Sequence, residues 1–519
     1  MSLRTEINTM LKNMRALCDE HSDAHELSEE LAKLTARLDE PLRVAVVGIM
    51  KAGKSTFMNA LMEGNVVYTG ELETTYTVCW FKYAASKSLT IYFRDGRPSV
   101  DAPYEDMQTW SERSAGEENP EINNVKYIVI YYPSEILKKI EFIDTPGLNS
   151  IYGTDAQNSK DFLSIQSSED TIKEASFADA VIYAFNRTAN EFDKEILEAF
   201  QKDSGVNASP INSLGIMTKV DASGIWDLAS PQTPVEIARK ITANVMSNSD
   251  MKNSVFEILP VCAKVIEGAV QLNETDWSIC EKLAGMDAED EEDYLFDSAS
   301  FEQETSEDFM ELGTPEERRH LMGLIGQYGI AELSKNIRAG RSRYEIFALL
   351  PQICGIRQVR DLIASHFGSR AFLIKIRYVF NYIHTFINNM EQNGSMSREL
   401  KYICERFNEN VDNLMSSLQP LRELRIIQMY YNGGVEFTEA EKHDFMCVTG
   451  EHGRSVERRL DAPEGSSVED LKNIANEKMS VWKANASRWM KPGSYVEAAR
   501  IIARSYEHLY YHLSELTDY

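Results

Sequence analysis

Residues 44–61 read VAVVGIMKAGKSTFMNAL, in which a short apolar run leads into a loop with two glycines and two lysines. The run predicts a buried strand, and the residues after the loop have helical spacing. Residues 48–55 fit the pattern GxxxxGK[ST] in the strand–loop–helix context that makes such a match specific. The glycines let successive backbone N–H groups converge on phosphate oxygens, and the helix adds the positive end of its dipole. The stretch therefore predicts a phosphate-binding loop in an α/β domain.

Two side chains of this loop carry the expected chemistry. We expect Lys54 to reach the β and γ phosphates of a nucleotide and the Ser55 hydroxyl to ligate Mg²⁺. The residues expected to line the phosphates beside them are Gly48, Met50, Lys51, Ala52, Gly53 and Thr56.

A second motif, IDTPG, follows a strand-like run at residues 143–147. A carboxylate at a strand end can hold the Mg²⁺ shell through water, and a glycine N–H just beyond it can sense the γ-phosphate. We assign these two roles to Asp144 and Gly147.

A third motif, TKVD, closes another apolar run and begins at Thr218. Asp221 can accept both N1–H and the exocyclic N2–H₂ of guanine, a donor pair that adenine lacks, while the stem of Lys219 packs on the base. The motif predicts GTP rather than ATP. A weaker fourth match, VCAK at residues 261–264, predicts a base-contacting loop, and its residues are Cys262, Ala263 and Lys264.

A first switch is expected between Ser55 and Asp144, in the segment TGELETTYTVCWFKY at residues 69–83. A threonine in such a segment orders on Mg²⁺ and the γ-phosphate only in the GTP state. We assign this metal-binding role to Thr75, with Thr74 and Thr77 as the alternatives.

Eight short apolar runs alternate with helical stretches, which is typical of an α/β domain with a mostly parallel sheet. They are LRVAVVG, VCWFKY, LTIYF, KYIVIYY, IEFID, AVIYAF, SLGIMT and VFEILPV. We expect this domain to occupy residues 41–270.

The remainder of the chain has mainly helical patterns. In residues 1–40 apolar residues recur every three or four positions, which predicts an amphipathic helix, either continuous or broken. Residues 316–519 have similar spacing and predict a helical domain. Between them, residues 271–315 are expected to be a linker, because the stretch 286–312 holds 12 carboxylates and no Lys or Arg. Such a composition predicts a mobile acidic loop, with a metal or partner site as the alternative.

Bulk composition narrows the class of protein. A chain of 519 residues is too long for one core, so two or more domains are expected. Its formal net charge of -27, without a sustained basic run, argues against a nucleic-acid partner. Seven cysteines that stand singly favour a reducing, cytoplasmic compartment. No window reaches the roughly 20 apolar residues of a membrane span, so membrane contact is expected to be peripheral, at the inner face.

The order of these motifs is that of a GTPase, and the sequence resembles the dynamin superfamily, specifically bacterial dynamin-like proteins. GIMKAGKSTFMNAL is similar to the phosphate loop of that family, TTYTVCWFKY to its first switch, DTPG to its second and TKVD to its guanine motif. The resemblance is specific over residues 42–264 and looser in later helical segments such as 366–377 and 450–460. It implies a GTPase head and a neck and trunk formed by the N-terminal helix with the C-terminal half.

The resemblance also implies partners. GTP would drive dimerisation of the heads, the change would be transmitted to a membrane, and a related dynamin-like chain is a further partner. The least charged candidate for lipid contact is IIQMYYNGGV at residues 426–435, for which the alternative is a helix end folded onto the core.

One departure from the family concerns hydrolysis, which is expected to be a Mg²⁺-assisted attack of water on the γ-phosphate. Dynamins of eukaryotes carry a glutamine where Met50 stands, and a methionine cannot position that water. Lys51 agrees with bacterial relatives and would add positive charge near the phosphates, unless it faces solvent.

Two other classes of function compete with the mechanochemical one. A regulatory or assembly-factor GTPase would bind a protein or ribonucleoprotein partner through its helical half and touch no lipid. An ATP-dependent enzyme would require the TKVD match to be accidental.

Overall fold

The computed structural model describes residues 3–48, 52–64, 78–111, 124–144, 178–186, 211–222, 225–228, 230–247, 254–394, 396–431, 433–453, 455–488 and 490–517. The chain divides into two compact units. The sheet unit comprises Arg43–Ala208 and Ser213–Leu362, and the helical unit comprises Met1–Leu42, Ser209–Asn212 and Ile363–Tyr519.

The sheet unit is built on nine described strands. In chain order they are β1 (Leu42–Val47), β2 (Val78–Tyr83), β3 (Ser88–Phe93), β4 (Val100–Ala102), β5 (Val125–Tyr132), β6 (Ile140–Asp144), β7 (Ala180–Asn186), β8 (Ser213–Thr218) and β9 (Ile258–Pro260). They lie in the order β4-β3-β5-β2-β6-β1-β7-β8-β9. The pairs β1–β7, β7–β8, β8–β9 and β2–β5 are parallel, whereas β3 runs antiparallel to β4 and β5, and β2 to β6.

The apolar runs of the sequence account for this sheet. All eight runs predicted as strands are strands, and the mostly parallel α/β architecture is confirmed. Strands β6, β8 and β9 are buried at every position, as expected for a sheet covered on both faces. The sequence did not predict β4, an edge strand of three residues without a buried position.

Helices of the sheet unit cover the sheet and continue beyond it. They are α3 (Lys54–Met62), α4 (Met107–Ser111), α5 (Pro234–Ser247), α6 (Ala263–Ala269), α7 (Glu274–Ala284), α8 (Ala288–Leu295), α9 (Ser298–Gln303), α10 (Glu307–Leu312), α11 (Pro315–Arg338), α12 (Arg343–Ile353) and α13 (Ile356–Leu362). Residues 316–362 thus belong to the unit of the sheet, whereas the sequence placed them with the helical domain.

The acidic stretch 286–312 corrects a second expectation, because its residues form helices α8–α10 rather than a loop. Leu295, Phe301 and Leu312 anchor these helices in the core. Hydrogen bonds from α11, outside the stretch, hold these helices. The Arg318 guanidinium donates to the carbonyl of Phe301 and, at 3.1 Å, to that of Gly313. A window limited to the acidic residues could not reveal these contacts.

The helical unit contains both ends of the described chain. Its helices are α1 (Leu3–Asp19), α2 (His25–Arg37), a π-helix (Ile363–Gly368), α14 (Ser369–Gln392), α15 (Arg398–Ser417), α16 (Gln419–Tyr431), α17 (Glu439–Val448), α18 (Val456–Leu460), α19 (Val468–Ala486) and α20 (Gly493–Thr517). The apolar faces of α1 and α2 share one core with α14 and α15, which includes Ile7, Leu31, Ile383, Leu400 and Phe407. The N-terminal helix is broken at the short turn Ser22–Ala24, and the predicted bundle of both chain ends is confirmed.

The candidate segment for lipid contact, residues 426–435, contributes apolar side chains to the core of the helical unit. Ile426 and Ile427 on α16 are buried, as are Tyr430 and Tyr431. The ring of Tyr430 stacks on Phe437 with centroids 5.8 Å apart. The alternative, a helix end folded onto the core, is the one that the structure contains. Among the described residues, no helix combines the length and the apolar character needed to cross a membrane.

Candidate nucleotide-binding site

The phosphate loop leaves β1 in close contact with β7, and this contact requires glycine. A Cβ atom on Gly48 would lie 2.1 Å from the carbonyl oxygen of Ala184, so no larger residue fits. At the other end of the loop, Gly53 has φ = 80° as the N-cap of α3, a left-handed conformation that favours glycine. Both glycines of the sequence motif therefore have a structural reason for their position.

Lys54 is buried in the first turn of α3, and its Nζ donates a hydrogen bond to the Gly48 carbonyl at 3.2 Å. Burial lowers the pKa of this ammonium, and the charge of Asp144 opposes that effect. The ammonium group of Lys54 thus lies within the phosphate loop, where it is expected to bind the phosphates. Ser55 and Thr56 follow in the same helical turn and are half-buried.

Asp144 ends β6, is completely buried, and neither of its carboxylate oxygens accepts a hydrogen bond from any described residue. Burial raises the pKa of this carboxyl to about 6, against the opposing charge of Lys54. A buried carboxylate without a partner is costly, and it is normally paired or bound to a metal ion. Hard carboxylate oxygens suit Mg²⁺, which keeps several of its waters. The residues present therefore fit a magnesium ion held by Asp144 and the Ser55 hydroxyl.

Thr218 joins the guanine motif to the phosphate loop. It is the last residue of β8, paired with Asn186 at the end of β7. Its hydroxyl lies within hydrogen-bond distance of two buried carbonyl oxygens, that of Ala52 in the loop and, at 3.0 Å, that of Phe185. The next residue, Lys219, has an exposed side chain and φ = 53°, which is unusual for a residue other than glycine.

Asp221 and Lys264 bring the last two motifs together. Burial raises the pKa of Asp221, while the charges of Lys264 and Lys219 lower it. Lys264 is an exposed residue in the first turn of α6. Its Nζ donates a hydrogen bond to the Met322 carbonyl at 3.3 Å. The charge of Lys264 thus acts on the Asp221 carboxyl, and these two residues form the candidate base-binding edge.

The loop that contains Cys262 and Ala263 rests on a segment that the sequence did not indicate as functional. The backbone N–H of Cys262 donates to the carbonyl of Cys354 at 3.0 Å. A Cβ on Gly355 would lie 2.5 Å from the Pro260 carbonyl oxygen, and its φ is 81°. The base loop thus depends on a turn about 90 residues further along the chain.

The helix after the phosphate loop is also held from a distance. The Arg360 guanidinium donates to the carbonyls of Ala60 at 3.0 Å and Leu61 at 3.1 Å, at the C-terminal end of α3. Asn59 donates to the Glu267 carboxylate on α6 at 2.6 Å, where both side chains are buried. No local pattern could have indicated these residues, since the contacts span about 200 to 300 positions.

The described site unites most of the predicted residues, and four lie outside it. Gly48, Ala52, Gly53 and Lys54 form a loop that contacts the TKVD motif through Thr218. Met50, Lys51, Thr75 and Gly147 fall outside the described residues, as do Thr74 and Thr77. Their roles stay predictions.

Comparison with known proteins identifies the domain. Residues 44–220 match the model of a family described as the dynamin family. The chain carries a dynamin-family GTPase domain. This domain binds GTP, and the match covers the phosphate loop, Asp144 and Thr218 that the structure brings together.

Relatives of the dynamin-family domain extend the likeness to most of the chain. The isoniazid-induced protein IniC of Mycobacterium tuberculosis is 23% identical over 92% of this chain and 92% of its own length. A bacterial dynamin-like protein of Nostoc punctiforme is 32% identical over 22% of this chain and 18% of its own. A solved structure of an oligomerised bacterial dynamin pair aligns with 100% of this chain and 76% of its own, at 14% identity and a TM-score of 0.36.

Proposed function

We propose that the dynamin-family domain hydrolyses GTP to GDP and phosphate with Mg²⁺, and that GTP-dependent dimerisation of its heads is coupled to membrane remodelling. The single observation that carries the hydrolytic part is the buried carboxylate of Asp144, which accepts no hydrogen bond from any described residue. Structural carboxylates have partners, so this one is kept for a ligand that arrives with the nucleotide.

The chain's own groups position and neutralise the triphosphate. Lys54 and the backbone N–H groups of the loop bind the β and γ phosphates, with the dipole of α3 behind them. Asp144, through water, and the Ser55 hydroxyl would hold the Mg²⁺ ion. When bound, Mg²⁺ supplies neutralisation of the charge that develops on the phosphate oxygens. The expected reaction is in-line attack of water on the γ-phosphate.

Selection of guanine rests on the base-binding edge. Asp221 accepts two hydrogen bonds from guanine, one from N1–H and one from the exocyclic N2–H₂. Adenine has no donor at either position. The hydroxyl of Thr218 fixes this edge to the phosphate loop, so a bound base and its phosphates are held in one geometry. GTP is therefore preferred over ATP.

Dimerisation of heads is proposed because the phosphate loop has Met50 where a water-positioning side chain stands in eukaryotic dynamins. A thioether cannot orient the attacking water, so slow turnover by isolated chains is expected. A second head that orders the site would raise the rate. Coupling to a membrane rests on the family resemblance.

The test is GTP turnover by the full chain over a range of protein concentrations, with and without anionic liposomes. Turnover per chain should rise with concentration and rise further with liposomes, and Lys54→Ala should give the blank. A GTPase rate independent of concentration and of lipid would overturn the dimerisation and membrane parts. No GTP turnover above the Lys54→Ala blank under any condition would overturn the hydrolytic part.

A second candidate is a switch GTPase whose helical unit binds a protein partner without lipid. One observation favours it: in the candidate lipid segment, the side chains of Ile426, Ile427, Tyr430 and Tyr431 are buried in the protein core. The net charge of -27 also opposes binding to anionic membranes. Liposome flotation separates the two functions. Recovery of the GTP-bound chain with liposomes supports the first, and its absence from the lipid fraction supports the second.

A further inference from the structure

Three side chains of the helical unit converge on one point near α17. His443 and Cys447 are four positions apart on this helix and therefore lie on the same face. His452 follows in the turn after the helix. One ligand atom from each of the three side chains lies within 4.8 Å of the other two. This cluster is far in sequence from the nucleotide motifs, and GTP hydrolysis does not use it.

A carboxylate lies beside the cluster. Oδ2 of Asp461 lies 2.8 Å from Nε2 of His443. Asp461 is the C-cap of α18. The chain thus presents one sulfur and two imidazole nitrogens together, with a carboxylate oxygen next to one of the imidazoles.

This donor set is that of a zinc site. Zn²⁺ binds Cys, His and Asp or Glu side chains and is almost always tetrahedral in structural sites. Bonds of about 2.3 Å to sulfur and about 2.0–2.1 Å to nitrogen at the tetrahedral angle place those two donors about 3.6 Å apart. Sγ of Cys447 lies 3.7 Å from Nε2 of His443. The spacing is therefore already that of two ligands on one ion.

We propose that His443, Cys447 and His452 bind a zinc ion in the helical unit. Asp461 supplies the fourth ligand in place of its hydrogen bond with His443. Four protein ligands leave no open position for a substrate, so the site is structural. The ion joins α17, the turn after it and the end of α18.

The surroundings hold the ligands in place. Glu451, next to His452, is buried and paired with Arg370 and, at 2.9 Å, with His366. On α17, Asp444 accepts from Lys478 of α19 at 2.7 Å. These ion pairs fix the turn and the helix from which the ligands project, as supporting groups do around metal sites.

Access and protonation are consistent with metal binding. The cluster opens onto a surface pocket of about 610 Å³, so an ion can enter from solvent. Cys447 is buried, and Zn²⁺ has to displace the proton of its thiol when it binds, as it does in other thiolate sites.

The experiment is a zinc titration of the full chain without a histidine tag, in competition with a chromophoric chelator. One Zn²⁺ per chain is expected, with an affinity that His443→Gln, Cys447→Ser and His452→Gln each weaken at least about 100-fold. Loss of a supporting group alone costs roughly 10–100-fold, so loss of a ligand should exceed it. Both histidines are exposed, so their replacement should leave the fold intact.

Two variants serve as matched controls. His508→Gln changes an exposed histidine on α20, and Cys404→Ser changes a buried cysteine in the core of the same unit. Neither should alter the zinc affinity. If the controls weaken binding as much as the cluster variants do, or if no variant changes it, the proposed site is wrong.

Cobalt gives an independent readout of the sulfur ligand. Co²⁺ bound to the chain should show a thiolate-to-metal charge-transfer band and the visible spectrum of a tetrahedral ion. The band should be absent in Cys447→Ser and present in His508→Gln. A thermal shift on zinc addition, lost in the cluster variants, is also expected, because a ligand that binds the folded state stabilises it. A cobalt spectrum without the sulfur band in the unaltered chain would contradict the site.

Discussion

Two buried carboxylates in the two units have opposite environments. Asp144 in the sheet unit accepts no hydrogen bond from any described residue, and burial raises its pKa to about 6. Glu451 in the helical unit is equally inaccessible. Burial there would raise its pKa, but Arg370 and His366 outweigh it and lower the pKa to about 2. A carboxylate that stabilises the fold is bonded directly to its counter-charge, whereas Asp144 accepts no such bond from any described residue.

The largest expected effect concerns the charge that accompanies Asp144. Lys54→Ala should weaken GTP binding by on the order of 10³-fold, because it removes the one buried ammonium of the described loop that faces the phosphates. Fluorescent GTP-analogue titration measures this loss. Lys335→Ala, an exposed lysine on α11, is the control and should bind as the unaltered chain does. If Lys54→Ala and Lys335→Ala bind the GTP analogue equally well, Lys54 is not part of the nucleotide site.

The structural carboxylate should show its importance in stability. Glu451→Gln should lower the free energy of unfolding by about 3–5 kcal/mol, because it leaves the buried Arg370 without its counter-charge. Urea unfolding followed by circular dichroism measures the change. Glu464→Gln, on an exposed glutamate, should alter it by less than about 0.5 kcal/mol. An unchanged free energy of unfolding in Glu451→Gln would contradict the claim that Glu451, unlike Asp144, stabilises the fold.

The opposite result is expected at Asp144. Asp144→Asn should stabilise the nucleotide-free protein at pH 7 by about 1–3 kcal/mol, because it removes a buried charge that has no hydrogen-bond donor among the described residues. The same variant should lose GTP turnover. Asp106→Asn, at an exposed aspartate, controls for the substitution. Destabilisation by Asp144→Asn would show that the carboxylate serves the fold after all.

The pH dependence of stability sharpens the contrast. The folded pKa of Asp144 is about 6 against an ordinary value of 3.8, so its protonated form favours folding. That contribution is fully present below about pH 4 and is lost as the pH rises through about 6. Unfolding free energies of the nucleotide-free chain and of Asp144→Asn should therefore diverge as the pH rises from 4 to 7. Parallel curves would contradict the raised pKa.

The smallest expected effect concerns the base. Asp221→Asn should weaken GTP binding by about 10–100-fold, since a charge-assisted pair of hydrogen bonds is lost. The same variant should gain affinity for xanthosine triphosphate, whose edge suits the amide. Competition binding of the two nucleotides measures both changes. Retained preference for GTP over xanthosine triphosphate would exclude Asp221 from reading the base.

The sequence predicted those parts of the molecule that depend on local pattern. The eight apolar runs became strands, and the structure requires Gly48 where the loop meets β7 and favours Gly53 at the start of α3. Contacts between residues that are far apart in the sequence could not be predicted. Arg360, which donates to carbonyls of α3, and Gly355, beneath the base loop, are examples, because their roles exist only after folding. The acidic helices α8–α10 were missed for the same reason, since Arg318 lies outside the acidic stretch.

The most direct test of the central claim is the magnesium dependence of GTP binding at pH 7. Calorimetric titration with a non-hydrolysable GTP analogue, with and without Mg²⁺, would be compared in the unaltered chain and in Asp144→Asn. We expect Mg²⁺ to strengthen binding at least about tenfold in the unaltered chain and to have little effect in the variant. The same gain in both proteins would contradict the claim that the unpaired carboxylate is kept for the nucleotide's metal ion.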